Sequence, residues 1–282
     1  MSCDCKSCDK KSCPSHDGKE LTPEQEKMMH RLRGIKHCLV VLSGKGGVGK
    51  STVSVNLAAA LTREGYKVGL LDVDLHGPSV PIMLGLRDVR AVMGEDGIEP
   101  VEAGPGLKVM SVSFFLEGRD QAVVWRGPMK LTAIKQMLED VNWGELDYLI
   151  IDCPPGTGDE PLAVVQLIPC LEGGIIVTTP QEVAASDVRR SVSFCDLLDL
   201  PVVGVIENMS GFHCPDCGKT HYIFKQGGGK ALAESMSLPF LGAIPIEPQI
   251  AEASDGGTPF VNLPENSAAL KAFTEIVSKI TG

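Results

Sequence analysis

Gly44-Lys45-Gly46-Gly47-Val48-Gly49-Lys50-Ser51, read as GKGGVGKS, matches G-x-x-x-x-G-K-[ST] at every defined position. The residue types follow from phosphate chemistry. Glycines let successive backbone N–H groups turn inward around phosphate oxygens, and Lys50 adds a cation near the β- and γ-phosphates. Ser51 offers a hydroxyl to Mg²⁺, an ion that keeps most of its waters and takes few protein ligands. The flanks agree: Cys38–Leu42 is a short apolar run suited to a buried strand, and 50–63 reads as a helix whose first turn, including Thr52, meets the phosphates. Lys45, just inside the first glycine, is a second lysine where an ordinary loop of this type needs no charge.

Outward from this loop, apolar runs at 38–42, 67–72, 107–112, 147–151, 174–178, 202–206 and 239–243 alternate with helix-like segments at 50–63, 128–140, 161–168, 183–198, 227–236 and 265–280. Near-continuous apolar strands such as Gly174–Thr178 (GIIVT), alternating with helices, predict an α/β fold, a doubly wound, mostly parallel sheet with helices on both faces. The glycine-containing stretch 86–112 is expected to add a small antiparallel hairpin. Thr22-Pro23-Glu24-Gln25 has the form of a helix start, with Thr22 as N-cap, and that helix is expected to end near Gly34. Residues 1–21 form a Cys-, Lys- and Asp-rich arm with too few large apolar side chains for a core, so the expected organisation is that arm followed by one domain over 22–282.

Composition narrows the function classes. The formal net charge is −10, with lysines and arginines scattered and no basic stripe, which disfavours nucleic acid as a partner. No apolar segment approaches the length of a membrane span, and the N-terminus lacks the apolar region of a secretory signal. A cytoplasmic protein without membrane attachment is expected, and its ten cysteines then point to metal ligation or redox chemistry before disulfides.

Two strand ends carry carboxylates. Leu70-Leu71-Asp72-Val73-Asp74 places Asp72 and Asp74 where ligands bind in such sheets, and a still-extended chain would put both on one side. Tyr148-Leu149-Ile150-Ile151-Asp152 fits a Walker B strand whose carboxylate acts on Mg²⁺. The Pro154-Pro155-Gly156-Thr157-Gly158 loop after it has the makeup of a switch.

These residues resemble the MinD/ParA/nitrogenase-iron-protein class of deviant Walker A ATPases. Within it, DxDxxGPS (Asp72–Ser79), DxPPGTGD (Asp152–Asp159), ENMSGF (Glu207–Phe212) and CPDCG (Cys214–Gly218) resemble the Mrp-type, ApbC-like iron–sulfur cluster carriers, over roughly residues 22–282. The resemblance implies ATP and Mg²⁺ as cofactors, with Gly44 through Thr52 and Asn208, an adenine contact, as the nucleotide-binding set. It implies that Lys45 reaches across a homodimer to the other subunit's phosphates, comparable to an arginine finger. Asp74 would orient the attacking water, Asp72 would have a neighbouring switch role, and Ser51 and Asp152 would hold Mg²⁺. Cys153, in the switch loop, departs from the commonest pattern and is expected to be a small semi-buried residue.

Cys214 and Cys217 have metal-ligand spacing, but one C-x-x-C supplies two thiolates where a Cys₄ zinc site or an iron–sulfur cluster needs four. A homodimer with the pair near its two-fold axis would complete the set. That fits the resemblance, which implies a 4Fe–4S cluster bridging subunits and passed between scaffold proteins and apo iron–sulfur clients. A zinc knuckle, with His213 and His221 as further ligands, is the alternative. Cys3, Cys5, Cys8 and Cys13 lie within eleven residues and could wrap one metal or cluster, bind zinc or copper, or serve as delivery thiols. Cys38 and Cys195 read as packing residues, and His76 as a turn residue. The function expected is a slowly hydrolysing ATPase that carries a cluster. A spatial-organising ATPase of the MinD/ParA kind, an ATP-dependent cluster-based reductase and a zinc-stabilised nucleotide-dependent scaffold are the competitors.

Overall fold

In a computed structural model the described residues are 22–115, 127–168, 170–214, 216–262 and 267–282. Cys3, Cys5, Cys8 and Cys13 lie outside them. The chain runs α1 (Pro23–Leu32), β1 (Ile35–Leu42), α2 (Lys50–Arg63), β2 (Val68–Asp72), α3 (Val80–Met83), β3 (Val92–Met93), β4 (Ile98–Glu99), β5 (Val101–Gly104) and β6 (Leu107–Ser111). It continues α4 (Gly127–Glu139), β7 (Leu146–Asp152), α5 (Asp159–Leu167), β8 (Gly173–Thr178), α6 (Glu182–Leu197), β9 (Val202–Glu207), β10 (Phe212–His213) and β11 (Thr220–His221). It closes with α7 (Gly228–Ser235), β12 (Phe240–Ala243), α8 (Pro248–Asp255) and α9 (Ala268–Thr281).

Eight strands form the central sheet in the order β12-β9-β8-β1-β7-β2-β6-β5. Every pairing is parallel except β5 with β6. The expected hairpin is therefore two features: β5 turning back beside β6, and a separate β3–β4 ladder. Parallel strands buried on both faces need apolar side chains at every position, and β8 has all six residues buried. Its alternate residues serve different cores. Ile175 and Val177 join the main cluster, while Ile176 packs with Val188 and Val192 of α6 and Leu232 of α7.

The helix α2 is buried over most of its length because Ala58, Ala59 and Ala60 let it lie close to the sheet. Helix α9 starts at Ala268, later than expected, where the Ser267 hydroxyl accepts from the Leu270 N–H. Helix α8 was not anticipated: eight residues beginning with Pro248 carry too little periodicity to be read. Since β1, β2, β7, β8 and β9 are mutually parallel through the sheet, the segments that follow them all emerge at one edge. That edge gathers 43–49, 73–79, 153–158 and 208–211, from the segments singled out by sequence, together with 179–181.

Candidate functional site

The phosphate loop spans the end of β1 and the start of α2. Gly47 and Gly49 have φ of +76° and +77°, the left-handed region that glycine enters without strain. A side chain on Gly49 would also run into the Asn208 amide nitrogen. Helix α2 has no side-chain cap at its N-terminus, which leaves backbone donors directed at an anion's position. A cavity of about 250 Å³ opens over the loop, lined by residues 45–52 together with Asp74, Gly77, Ser79, Met83 and Pro155.

Beneath the cavity, parallel pairing places Asp152 beside Val41 on one side and Asp72 on the other. Lys50 and Asp152 are 6% and 0% exposed and form an ion pair at 2.7 Å. Ser51 Oγ donates to Asp152 Oδ2 at 2.6 Å, and Ser54 Oγ donates to Oδ1 at 2.6 Å. Each carboxylate oxygen is thus engaged, as a buried charge requires. Ser51, which lines the cavity, and Asp152 beneath it bring hard oxygen donors together, a donor set that suits Mg²⁺. Ser54 was not anticipated, although it stands four residues after Lys50 on the same helical face.

Asp72 ends β2 and Asp74 lies two residues on, in different surroundings. Asp74 lines the cavity, and its Oδ1 accepts the backbone N–H groups of His76 and Gly77. His76 is accordingly a turn residue, 3.6 Å from Glu160. Asp72 is fully buried and accepts from Asp74 N and Ser111 Oγ. Burial, and then the neighbouring Asp152, push its carboxyl up to about 8 against the pull of Lys50. Cys153 is fully buried, beyond the semi-burial expected, and burial drives its thiol far above the ordinary range. Cys38 is also buried, and its thiol is hydrogen-bonded to that of Cys170, a contact that spacing in the sequence does not signal.

A second cavity of about 310 Å³ adjoins the first, sharing Lys45, Gly46 and Gly47 and adding Thr179, Gln181, Met209 and Phe224. The Lys45 side chain borders both cavities and has no ion-pair partner among the described residues. Asn208, 8% exposed, donates from Nδ2 to the Val48 carbonyl at 2.9 Å and from its backbone N–H to Thr178 O at 2.8 Å.

Beyond Asn208 the chain leaves the sheet as a short antiparallel ladder, β10 with β11. Between those strands the Gly218 N–H donates to Cys214 O and the Cys214 N–H to Lys219 O, both at 3.0 Å. The backbone N–H groups of Cys217 and Asp216 turn toward Cys214 Sγ and, with the Cys217 thiol, hold the Cys214 thiol below its ordinary range. Donors aimed at sulfur favour a thiolate, the form that ligates soft metals. Cys214 is half-buried and Cys217 exposed. Among the described residues no group of three or more His, Cys, Asp or Glu side chains is placed to hold a metal ion.

A mononucleotide-binding sheet, a phosphate loop on its central strand and a Walker B carboxylate beneath it define a P-loop NTPase. The family model described as ParA, NUBPL iron-transfer P-loop NTPase, matches residues 34–281, and the chain belongs to that family. It is 49% identical over 278 residues to the iron-sulfur cluster carrier protein of Methanocaldococcus jannaschii, covering 98% of this chain and 94% of the relative. It is 50% identical over 254 residues to the cytosolic Fe-S cluster assembly factor NUBP2 homolog of Nematostella vectensis, covering 89% of this chain and 94% of that relative. Among solved structures, a nucleotide-binding protein of Archaeoglobus fulgidus in complex with ADP superposes with a TM-score of 0.76 at 40% identity, covering 86% of this chain and 94% of that one. The MinD cell division protein of Aquifex aeolicus shares the fold at a TM-score of 0.63 and 23% identity, over 87% and 97% of the two chains.

Proposed function

We propose that this protein is an ATP-driven carrier that holds a 4Fe–4S cluster across a homodimer and passes it from scaffold proteins to apo iron–sulfur clients in the cytosol. The observation that carries the reading is the Cys214–Cys217 turn. Backbone donors ready its sulfur for metal, yet the pair offers two thiolates where a cluster takes four. A second copy related by a two-fold axis supplies the other two. Lys45 supports the same dimer from the nucleotide side, as a cation at the cavity rim without an ion-pair partner among the described residues.

In this reading Gly44 through Thr52 cradle the phosphates and Asn208 meets the adenine. Ser51 and Asp152 hold Mg²⁺, which when bound would neutralise charge on the phosphate oxygens. Asp74 orients water for in-line attack on the γ-phosphorus, and ADP departs as the P–O bond breaks. Lys50 and the partner copy's signature lysine stabilise the charge that develops on the transferring oxygens. Hydrolysis alters the dimer interface, and with it the grip on the cluster.

Burial of the α9 apolar face, through Ala269, Phe273, Ile276 and Val277, weighs against a membrane-seeking terminal helix of the spatial-organising kind. Among the described residues no helix is long and apolar enough to cross a membrane. The test is anaerobic reconstitution. The expected product is a brown dimer with about four irons that activates an apo-client and loses its colour on Cys214→Ser substitution. Zinc in place of iron, or retention of the iron by Cys214→Ser, rejects the assignment. Electron delivery with the cluster retained would make the protein a reductase.

A further inference from the structure

The excursion that carries Cys214 and Cys217 leaves β9 and returns at α7, and both of its ends are fastened to one carboxyl group. Glu207, the last residue of β9, is 1% exposed. Its Oε1 accepts from Ser210 Oγ on the outgoing limb at 2.5 Å and from the Gly227 N–H on the returning limb at 3.2 Å. Its Oε2 accepts from the Gly229 N–H at 2.6 Å. The glycines are shaped to this contact. Gly227 has φ +75°, a side chain on Gly228 would strike the Pro180 carbonyl, and a Cβ on Gly229 would stand 3.0 Å from both Glu207 Cβ and Thr178. Glu207 also takes two backbone donors at the start of α7, where the helix has no side-chain cap of its own.

One residue further on, the Asn208 side chain is bonded to the phosphate loop at Val48 O. The outgoing limb is braced as well, with Ser210 N donating to Ile244 O at 2.8 Å and Ile246 N to Gly211 O at 2.7 Å. A covalent and hydrogen-bonded route therefore runs from the phosphate loop at Val48 through Asn208 and Glu207 to Ser210 and, on the returning limb, to Gly227 and Gly229. Nothing in phosphate or metal binding itself requires a carboxyl group at position 207.

We propose that Glu207 is a positioning residue that holds the base of the Cys214–Cys217 excursion in register with the phosphate loop, so that nucleotide binding and metal retention bias each other through the Glu207–Asn208 dipeptide. The proposal rests on the reading above that the cysteine pair holds metal. It adds the element through which the two sites communicate.

The test uses the full-length protein with Co²⁺ as the probe, read by its thiolate charge-transfer absorption, with and without Mg²⁺ and a non-hydrolysable ATP analogue. In the parent protein the analogue should change the Co²⁺ dissociation constant by about fivefold or more. Glu207→Gln keeps the shape but turns an amide NH₂ toward backbone donors. It should bring that ratio to within about twofold of unity, while each ligand alone keeps its affinity to within about threefold. An unchanged ratio overturns the proposal. So does a uniform loss of both affinities with a lowered melting temperature, which would make Glu207 a fold residue only. If Glu207→Gln does not fold, Ser210→Ala removes one donor and leaves the carboxyl group in place. It should reduce the coupling, and full coupling in that variant overturns the proposal too. A parent protein that shows the thiolate band but no nucleotide effect rejects the communication alone. A parent protein without the band rejects the metal-site reading, and this proposal with it.

Discussion

The phosphate loop and the cysteine turn stand at the same edge of one sheet and are built in opposite ways. Around the loop, Lys50, Ser51, Ser54 and Asp152 satisfy one another below the surface, in hydrogen bonds of 2.6–2.7 Å to the Asp152 carboxylate. Around the turn, the polar contacts are local backbone bonds, with Cys217 exposed and Cys214 half-buried. A site that must grip a charged ligand in every conformation is pre-paired inside the core. On the proposed reading, a site that receives and releases cargo is left at the surface, where a second copy would complete it.

The strongest way to break this contrast is at its buried half. Lys50→Ala leaves Asp152 with two hydroxyl donors and no cation. It should cost about 3 kcal/mol in denaturant unfolding, since an uncompensated buried charge remains, and should weaken nucleotide binding about 100-fold by calorimetry. Unchanged stability would show that Lys50 does not compensate the buried Asp152 charge.

Cys214→Ser strikes the exposed half. Metal affinity at the turn should fall more than about 100-fold, judged against the 10–100-fold cost of losing a mere supporting contact, while nucleotide affinity and melting temperature stay where they were. A large loss of stability would show the turn to be structural.

Asp72 sharpens the contrast through pH. Its carboxyl is raised from 3.8 to about 8, so the folded state binds a proton that the unfolded chain has released across that window. Its contribution to stability is complete below pH 3.8 and is lost as pH rises toward 8. Asp72→Asn should therefore melt above the parent at pH 9, with the gap closing as the pH falls to 5. A gap that does not depend on pH would refute the shift.

The smallest effect is expected at the histidines. His213→Ala and His221→Ala should change Co²⁺ binding at the turn by less than about twofold, the scatter of an unrelated site. A loss beyond tenfold would make the metal site complete within one chain and remove its need of a partner.

Much of this was legible in the chain. The residue types of 44–51 name a phosphate loop because glycine enters the φ of +76° and +77° at Gly47 and Gly49 without strain. Buried parallel strands must be apolar throughout, and β8 could be read from GIIVT alone. Other features could not be read. Asp72 and Asp74 look like a matched pair in sequence, yet Asp72 is fully buried while Asp74 lines the cavity. Eight residues of α8 are too few to establish a period, and the meeting of the Cys38 and Cys170 thiols depends on how α5 returns to β8.

The sequence by itself determined the alternation of strands and helices, the phosphate chemistry of the loop and the C-x-x-C spacing of Cys214 and Cys217, because each depends on residue type and short-range spacing. Only the tertiary structure decided which groups meet. Parallel register brought Asp152 beside Asp72, helix α2 laid Lys50 and Ser54 on that carboxylate, and the turn into α7 carried Gly227 and Gly229 to Glu207. Those are contacts between residues from 20 to 102 positions apart, fixed by sheet order and helix docking, and no local pattern encodes them.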